Sequence, residues 1–194
     1  MQTHGQKING IAVDQLRETI DNIKQDPGLA KCTFRAQNRW ISGGHNQALV
    51  SDFHGANQDI PHRQTFKLEI DEPPLLLGED FGANPVEYVL TALSGCLTSS
   101  LIYHAAAQGI TIEEVESELE GDLDLRGFLG ISNEVRNGYN QINVKFKVKA
   151  DAPQEKIDEL IELAQQRSPV FDIVSHPVNV MVTGEKVAQM EVRH

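Results

Sequence analysis

"NPVEYVLTALSGC", residues 84–96, is the stretch from which the rest of the chain is read. Asn84 is a good helix N-cap, and Pro85 suits the first helical position, where a missing N–H leaves no bond unmade. Val86, Val89, Leu93, Cys96, Leu97 and Leu101 recur at steps of three and four. That spacing predicts a long buried helix with the Cys96 thiol on its inward face. Polar residues such as Glu87, Thr91 and Ser94 interrupt the apolar run, which makes it a poor membrane span.

Outward from this helix, the periodicity changes twice. Residues 11–25 place Val13, Leu16, Ile20 and Ile23 at helical spacing, with Asp26-Pro27-Gly28 as the stop. "TFRAQNRWI" (33–41) alternates like a strand, and Ser42-Gly43-Gly44 turns it into "QALVSDF" (47–53); "QTFKLEI" (64–70) alternates again. Past Gly109, Val115 and Leu119 face one way and Glu116, Glu118 and Glu120 the other. Residues 142–149 mirror them with Lys145, Lys147 and Lys149, so the two segments are expected to pair, carboxylates against ammoniums.

Between these strands "RGFLGISNEVRNG" (126–138) is a Gly-bounded loop carrying Phe128, Leu129 and Ile131. The favoured expectation is a loop packed on its own domain, with a lid or subunit contact as the alternative. A second helix is expected over about 153–167, and "PVNVMVTG" (177–184) as a closing strand. Helices and strands are segregated, which makes the class α+β.

The 194 residues carry 17 Lys and Arg against 28 Asp and Glu, a net charge of −11 without a basic block. Nucleic acid and anionic membrane are therefore not expected partners. The N-terminus lacks the order of a secretory signal, so a cytoplasmic location is the expectation. Cys32 and Cys96 make no CxxC, and the histidines show no metal-ligand spacing, so no metal and no cofactor are expected.

Taken alone, Cys96 reads first as a small buried hydrophobe. It stands well past the helix turn that the dipole assists. Acting as a nucleophile would require a nearby cation or hydrogen-bond donors. Ser99 and Ser100 are three and four residues on, and His45 and Arg39 are candidate cations by type only. Cys32, beside Lys31, has no motif around it.

"EPPLLLGEDFGANPVEYVLTALSGCL" (72–97) and "ELAQQRSPVFDIVSHPVNVMVT" (162–183) resemble the OsmC/Ohr family, the osmotically induced and organic-hydroperoxide-resistance proteins. The resemblance spans about residues 33–184 and leaves residues 1–30 as an N-terminal helical extension to an OsmC/Ohr-like domain, 31–194. It implies antiparallel sheets packed on a long central helix in an interwoven homodimer. It also implies a peroxidatic cysteine at the subunit interface, which reduces organic hydroperoxides and is reset through a second cysteine and a thiol reductant.

Residue by residue, Cys96 falls on the peroxidatic cysteine, and Pro85 and Glu87 on the NPxE pattern. Val86 stands where the family usually places its catalytic glutamate, Ser168 where it places the resolving cysteine, and His45 where it places an arginine, with Arg39 as another source of charge. The resemblance therefore implies a one-cysteine peroxidase, with Cys96 and His45 catalytic and Ser168, Glu87, Phe171 and Arg39 binding. The alternative is a peroxidase-inactive protein whose interface pocket binds an acyl or aromatic small molecule.

Overall fold

The computed structural model describes residues 7–187. It opens on a small hairpin, β1 (Lys7–Ile8) and β2 (Ile11–Ala12), turned by Asn9 and Gly10 at φ of 52° and 80°. Both values lie in the left-handed region that a two-residue hairpin turn requires. Asn9 also anchors the hairpin at long range: its side chain donates to the Ile110 carbonyl at 2.9 Å and accepts from the Ile112 N–H at 2.8 Å. α1 (Val13–Gln25) follows, so the helix expected over 11–25 loses its first two residues to the hairpin. The Asp26 carboxylate stops it by capping the 3-10 turn Pro27–Ala30.

β3 (Thr33–Phe34), β4 (Gln37–Ser42), β5 (His45–Gly55) and β6 (Gln58–Ile70) form one antiparallel sheet. β5 is its centre, with β6 along one side and β4, then β3, along the other. The strand expected from "QTFKLEI" is thus the second half of a longer one. Ala56 and Asn57, at φ of 48° and 61°, make the tight turn into it without the glycine that usually announces such a turn. Register stacks Trp40, Asn46 and Ile70 in one row and Asn38, Ala48 and Leu68 in the next, which sets an apolar face on this sheet.

α2 (Pro85–Ala107) is the helix expected from the quoted stretch. By length and composition alone it would pass for a membrane-crossing helix. Here Leu93, Leu97, Leu101, Ala105 and Ala106 are buried, and the helix packs on β7 (Ile112–Asp122) and two later helices. After β7 comes the one-turn helix α3 (Leu125–Phe128), then β8 (Gln141–Ala150).

β7 and β8 pair as expected from their mirrored charges. Glu114 lies opposite Lys149, Glu116 opposite Lys147 and Glu118 opposite Lys145, while Val115 meets Val148 and Leu119 meets Val144 on the inner face. Lys147 bonds Glu118 diagonally, and Lys149 bonds Glu113. These pairs are exposed and screened by solvent, so they set register more than stability.

α4 (Gln154–Arg167) lays Ile157, Leu160 and Ala164 against α2, and α5 (Pro169–Ser175) completes that layer. Two expectations change. Leu129 and Ile131 of the 126–138 loop are exposed, so its tip is not packed on its own domain. Residues 177–184 are not a closing strand: they find no sheet neighbour among the described residues, and Met181 and Val182 are 85% and 89% exposed.

Candidate functional site

The approach to α2 is held by a buried carboxylate. Asp71, 1% exposed, accepts from the backbone N–H of Glu72 at 2.8 Å and of Glu79 and Phe81 at 3.2 Å. Burial penalises its charge, but the three N–H donors and the nearby His45 outweigh that, and its pKa lies below the ordinary aspartate value. The loop runs so close to the end of β6 that a Cβ on Gly78 would lie 1.7 Å from the Glu72 carbonyl oxygen, and one on Gly82 2.0 Å from that of Glu69.

The loop delivers Asn84 to the N-cap of α2. Its side chain accepts from the Val86 N–H at 3.0 Å, and the Glu87 carboxylate accepts from the Asn84 N–H at 2.8 Å. Glu87, expected to bind substrate, is thus committed to a capping box. The Asn84 amide also donates to Glu72. Burial raises the Glu72 pKa above the ordinary glutamate value; the Asn84 bond opposes this and the Asp71 charge adds to it.

His45 begins β5 and belongs to the same corner. Its Nε2 lies 2.9 Å from Glu69 Oε2, and Gln47 donates to the other carboxylate oxygen at 2.6 Å. These two bonds, that of His45 first, lower the Glu69 pKa. The Tyr88 hydroxyl donates to the Glu69 carbonyl at 2.7 Å, which ties the pair to the first turn of α2. Cys96 is eight residues further on, about 12 Å along the helix axis. Arg39 is exposed on β4 and sits in register with Gln47 and Glu69, on the same face as His45.

Cys96 is half-buried, and its sulfur makes no hydrogen bond among the described residues. One turn on, the Ser100 hydroxyl is buried without a partner among the described residues. Ser168, 2% exposed, caps α5 by accepting from the Phe171 N–H at 3.1 Å. That bond sets the position of Phe171, which lines a cavity of about 500 Å³ between α2, β8 and α5. Val89 and Leu93 form its α2 wall, and Arg136 and Tyr139 bring polar groups to it. A smaller cavity, about 190 Å³, lies at the start of α2 and is lined by Glu72, Val86 and Phe128. Cys96 lines neither.

Asp71, Glu69, Glu72, Arg136 and Tyr139 are not apparent as site residues from the sequence. Asp71-Glu72 directly before Pro73-Pro74 is the one local cue, two acids where a strand must break. Tyr139 carries no such cue: its hydroxyl donates to the Val86 carbonyl at 2.9 Å, 53 residues away, and its ring lies against Gly121.

Several solved structures share this arrangement. An OsmC like protein from Mycoplasma pneumoniae is similar with a TM-score of 0.58 at 16% identity, over 75% of this chain and 89% of its own. An OsmC-like protein of unknown function from Vibrio cholerae gives 0.53 at 12%, over 72% and 91%. An organic hydroperoxide resistance protein OsmC from Legionella pneumophila gives 0.50 at 20%, over 73% and 88%. At such identities the likeness speaks for the fold. Among curated proteins there is no significant match. The family model described as OsmC-like protein matches residues 78–183, from the approach to α2 through the segment after α5. With more than half its length inside that match, the chain belongs to the OsmC-like protein family.

Proposed function

We propose that the protein reduces organic hydroperoxides through the single thiol Cys96, with electrons from an external thiol. The observation that carries this reading is the half-buried Cys96 on α2, inside the stretch matched by the family model. The Cys96 thiolate attacks the distal oxygen of the hydroperoxide. An S–O bond forms as the O–O bond breaks, and the alcohol leaves once its alkoxide takes a proton.

Cys96 is then a sulfenic acid. An external thiolate attacks that sulfur, and water leaves as the mixed disulfide forms. A second external thiol frees Cys96 and departs as a disulfide. Ser168 has no sulfur to offer and serves as the cap of α5, so the resetting falls to the external thiol. Two free cysteines accord with a reducing compartment such as the cytoplasm.

The working unit in this reading is a homodimer. Trp40 and Leu68 are exposed on the apolar face of the β3–β6 sheet, and so are Val180, Met181 and Val182 after α5. α2 also leaves Ala92, Gly95, Ser99 and Tyr103 bare at helical spacing beside Cys96. A second copy laid on these surfaces removes apolar area from water and covers the thiol. His45, when protonated, and Arg39 are the candidate cations for the Cys96 thiolate in this reading, although both lie on the face of the sheet opposite Trp40 and Leu68.

The test is hydroperoxide consumption with a small dithiol, together with dimedone trapping of the sulfenic acid at Cys96. Equal peroxide loss by wild type and Cys96→Ser sinks the reading. For His45, the pH profile of Cys96 alkylation should differ between wild type and His45→Ala; an unchanged profile removes His45 from the site.

A second reading is favoured by the larger cavity, which lies beside α2 without touching Cys96. In it the fold holds an apolar small molecule and turns nothing over. Native mass spectrometry and a thermal-shift screen that find no ligand would remove it.

A further inference from the structure

The larger cavity has walls of one character and a mouth of another. Val89, Leu93, Ile142, Phe171 and Val174 supply its apolar lining, and its volume of about 500 Å³ lies within the range of small-molecule sites. Arg136 is the one lining side chain that carries a charge. It is exposed, and among the described residues its guanidinium makes neither an ion pair nor a hydrogen bond. The loop that carries it is held from behind: a Cβ on Gly127 would meet the Arg136 carbonyl oxygen at 2.5 Å, and Tyr139, three residues on, is tied to the Val86 carbonyl.

The remaining polar groups at the cavity are largely committed elsewhere. The Tyr139 hydroxyl donates to Val86, the Gln141 amide to Asn143, and the Ser175 hydroxyl to the Phe171 carbonyl. Among the described residues the Asn140 amide is also free, but only Arg136 offers a charged planar donor pair, which matches a carboxylate edge to edge. A single guanidinium in a chain of net charge −11 balances one negative charge and is poorly suited to a dianionic phosphate ester.

We infer that this cavity binds an apolar monocarboxylate, its tail between α2, β8 and α5 and its head on Arg136. The inference rests on the second reading above and requires nothing of Cys96. Arg136 sets the head-group specificity, and the apolar walls set the tail.

Calorimetric titration of the full chain with decanoate, decanol and decylammonium tests it. Wild type should bind decanoate more tightly than decanol, and decylammonium most weakly. Arg136→Gln should weaken decanoate about tenfold and leave decanol unchanged, because a charge-assisted hydrogen bond is lost and no wall is altered. Arg136→Lys should restore part of the difference. Val174→Trp, with folding verified by circular dichroism, should remove both decanoate and decanol, and Cys96→Ser should remove neither.

Equal decanoate affinity in wild type and Arg136→Gln overturns the role of Arg136 while an apolar cavity stands. Binding of neither decanoate nor decanol by wild type overturns the inference and the second reading together. Peroxide chemistry at Cys96 is judged by its own assay in either case.

Discussion

Asp71 and Glu72 are adjacent in the chain, yet their carboxyl groups are pushed in opposite directions. Both are penalised by burial, but Asp71 collects three backbone N–H donors whereas Glu72 has one side-chain amide and a negative neighbour. The signs for stability follow from linkage. The depressed Asp71 contributes stability that is present above the unfolded carboxylate value and is lost as pH falls through its lower folded value. The raised Glu72 contributes stability that is present below its unfolded value and is lost as pH rises through its higher folded one. Melting temperatures across pH should therefore show Asp71→Asn lowering Tm near neutrality and blunting the acid loss below about pH 4. Glu72→Gln, which keeps an acceptor for Asn84, should flatten the decline from about pH 4 toward neutrality. Parallel Tm curves for wild type and both variants would show that neither carboxyl is coupled to folding. Nothing in the string of letters separates these two acids; the donors that divide them come from Glu79 and Phe81, across a turn.

Elements were legible where neighbours in sequence are also neighbours in space. The α2 cap reads directly from Asn84, Pro85 and Glu87, and the β7–β8 register from alternating opposite charges. The same cap shows the limit: Glu87 fits both a capping box and a catalytic pattern, and only its bond to the Asn84 N–H decides for the cap. The β5–β6 turn was illegible because Ala56 and Asn57 take positive φ without a glycine in either place. Two substitutions test what holds α2. Gly82→Ala should cost about 1–3 kcal/mol in urea unfolding, since its Cβ would drive into the Glu69 carbonyl. Leu101→Ala should cost about 2–5 kcal/mol, because a side chain with 0% exposure leaves a cavity between α2 and its neighbours. A cost under 0.5 kcal/mol, the scale of an ordinary surface change, would contradict the packing at either position.

At the scale of the whole molecule, the apolar sheet face, the bare stripe of α2 and residues 177–184 are one problem. Each is largely apolar or small, and each stays largely uncovered by the described residues of a single chain. If a second copy covers them, sedimentation velocity should find a dimer. Ser99→Trp, placed on the bare stripe where an indole blocks close helix approach, should shift it toward monomer without lowering helix content. A monomeric wild type at micromolar concentration would refute that assembly. The C-terminal segment illustrates the point: its alternation suggests a strand, but a strand needs a neighbour, and among the described residues none pairs with it. Periodicity, capping residues and charge alternation sufficed for most of the elements and for the position of the central helix, because these depend on residues a few steps apart, and the resemblance of residues 72–97 and 162–183 pointed to the family. The tertiary structure alone decided that His45 joins Glu69, that Arg136 faces an apolar cavity and that Asp71 keeps its charge. Those outcomes depend on distance and dielectric between groups far apart along the chain, such as the 24 residues between His45 and Glu69.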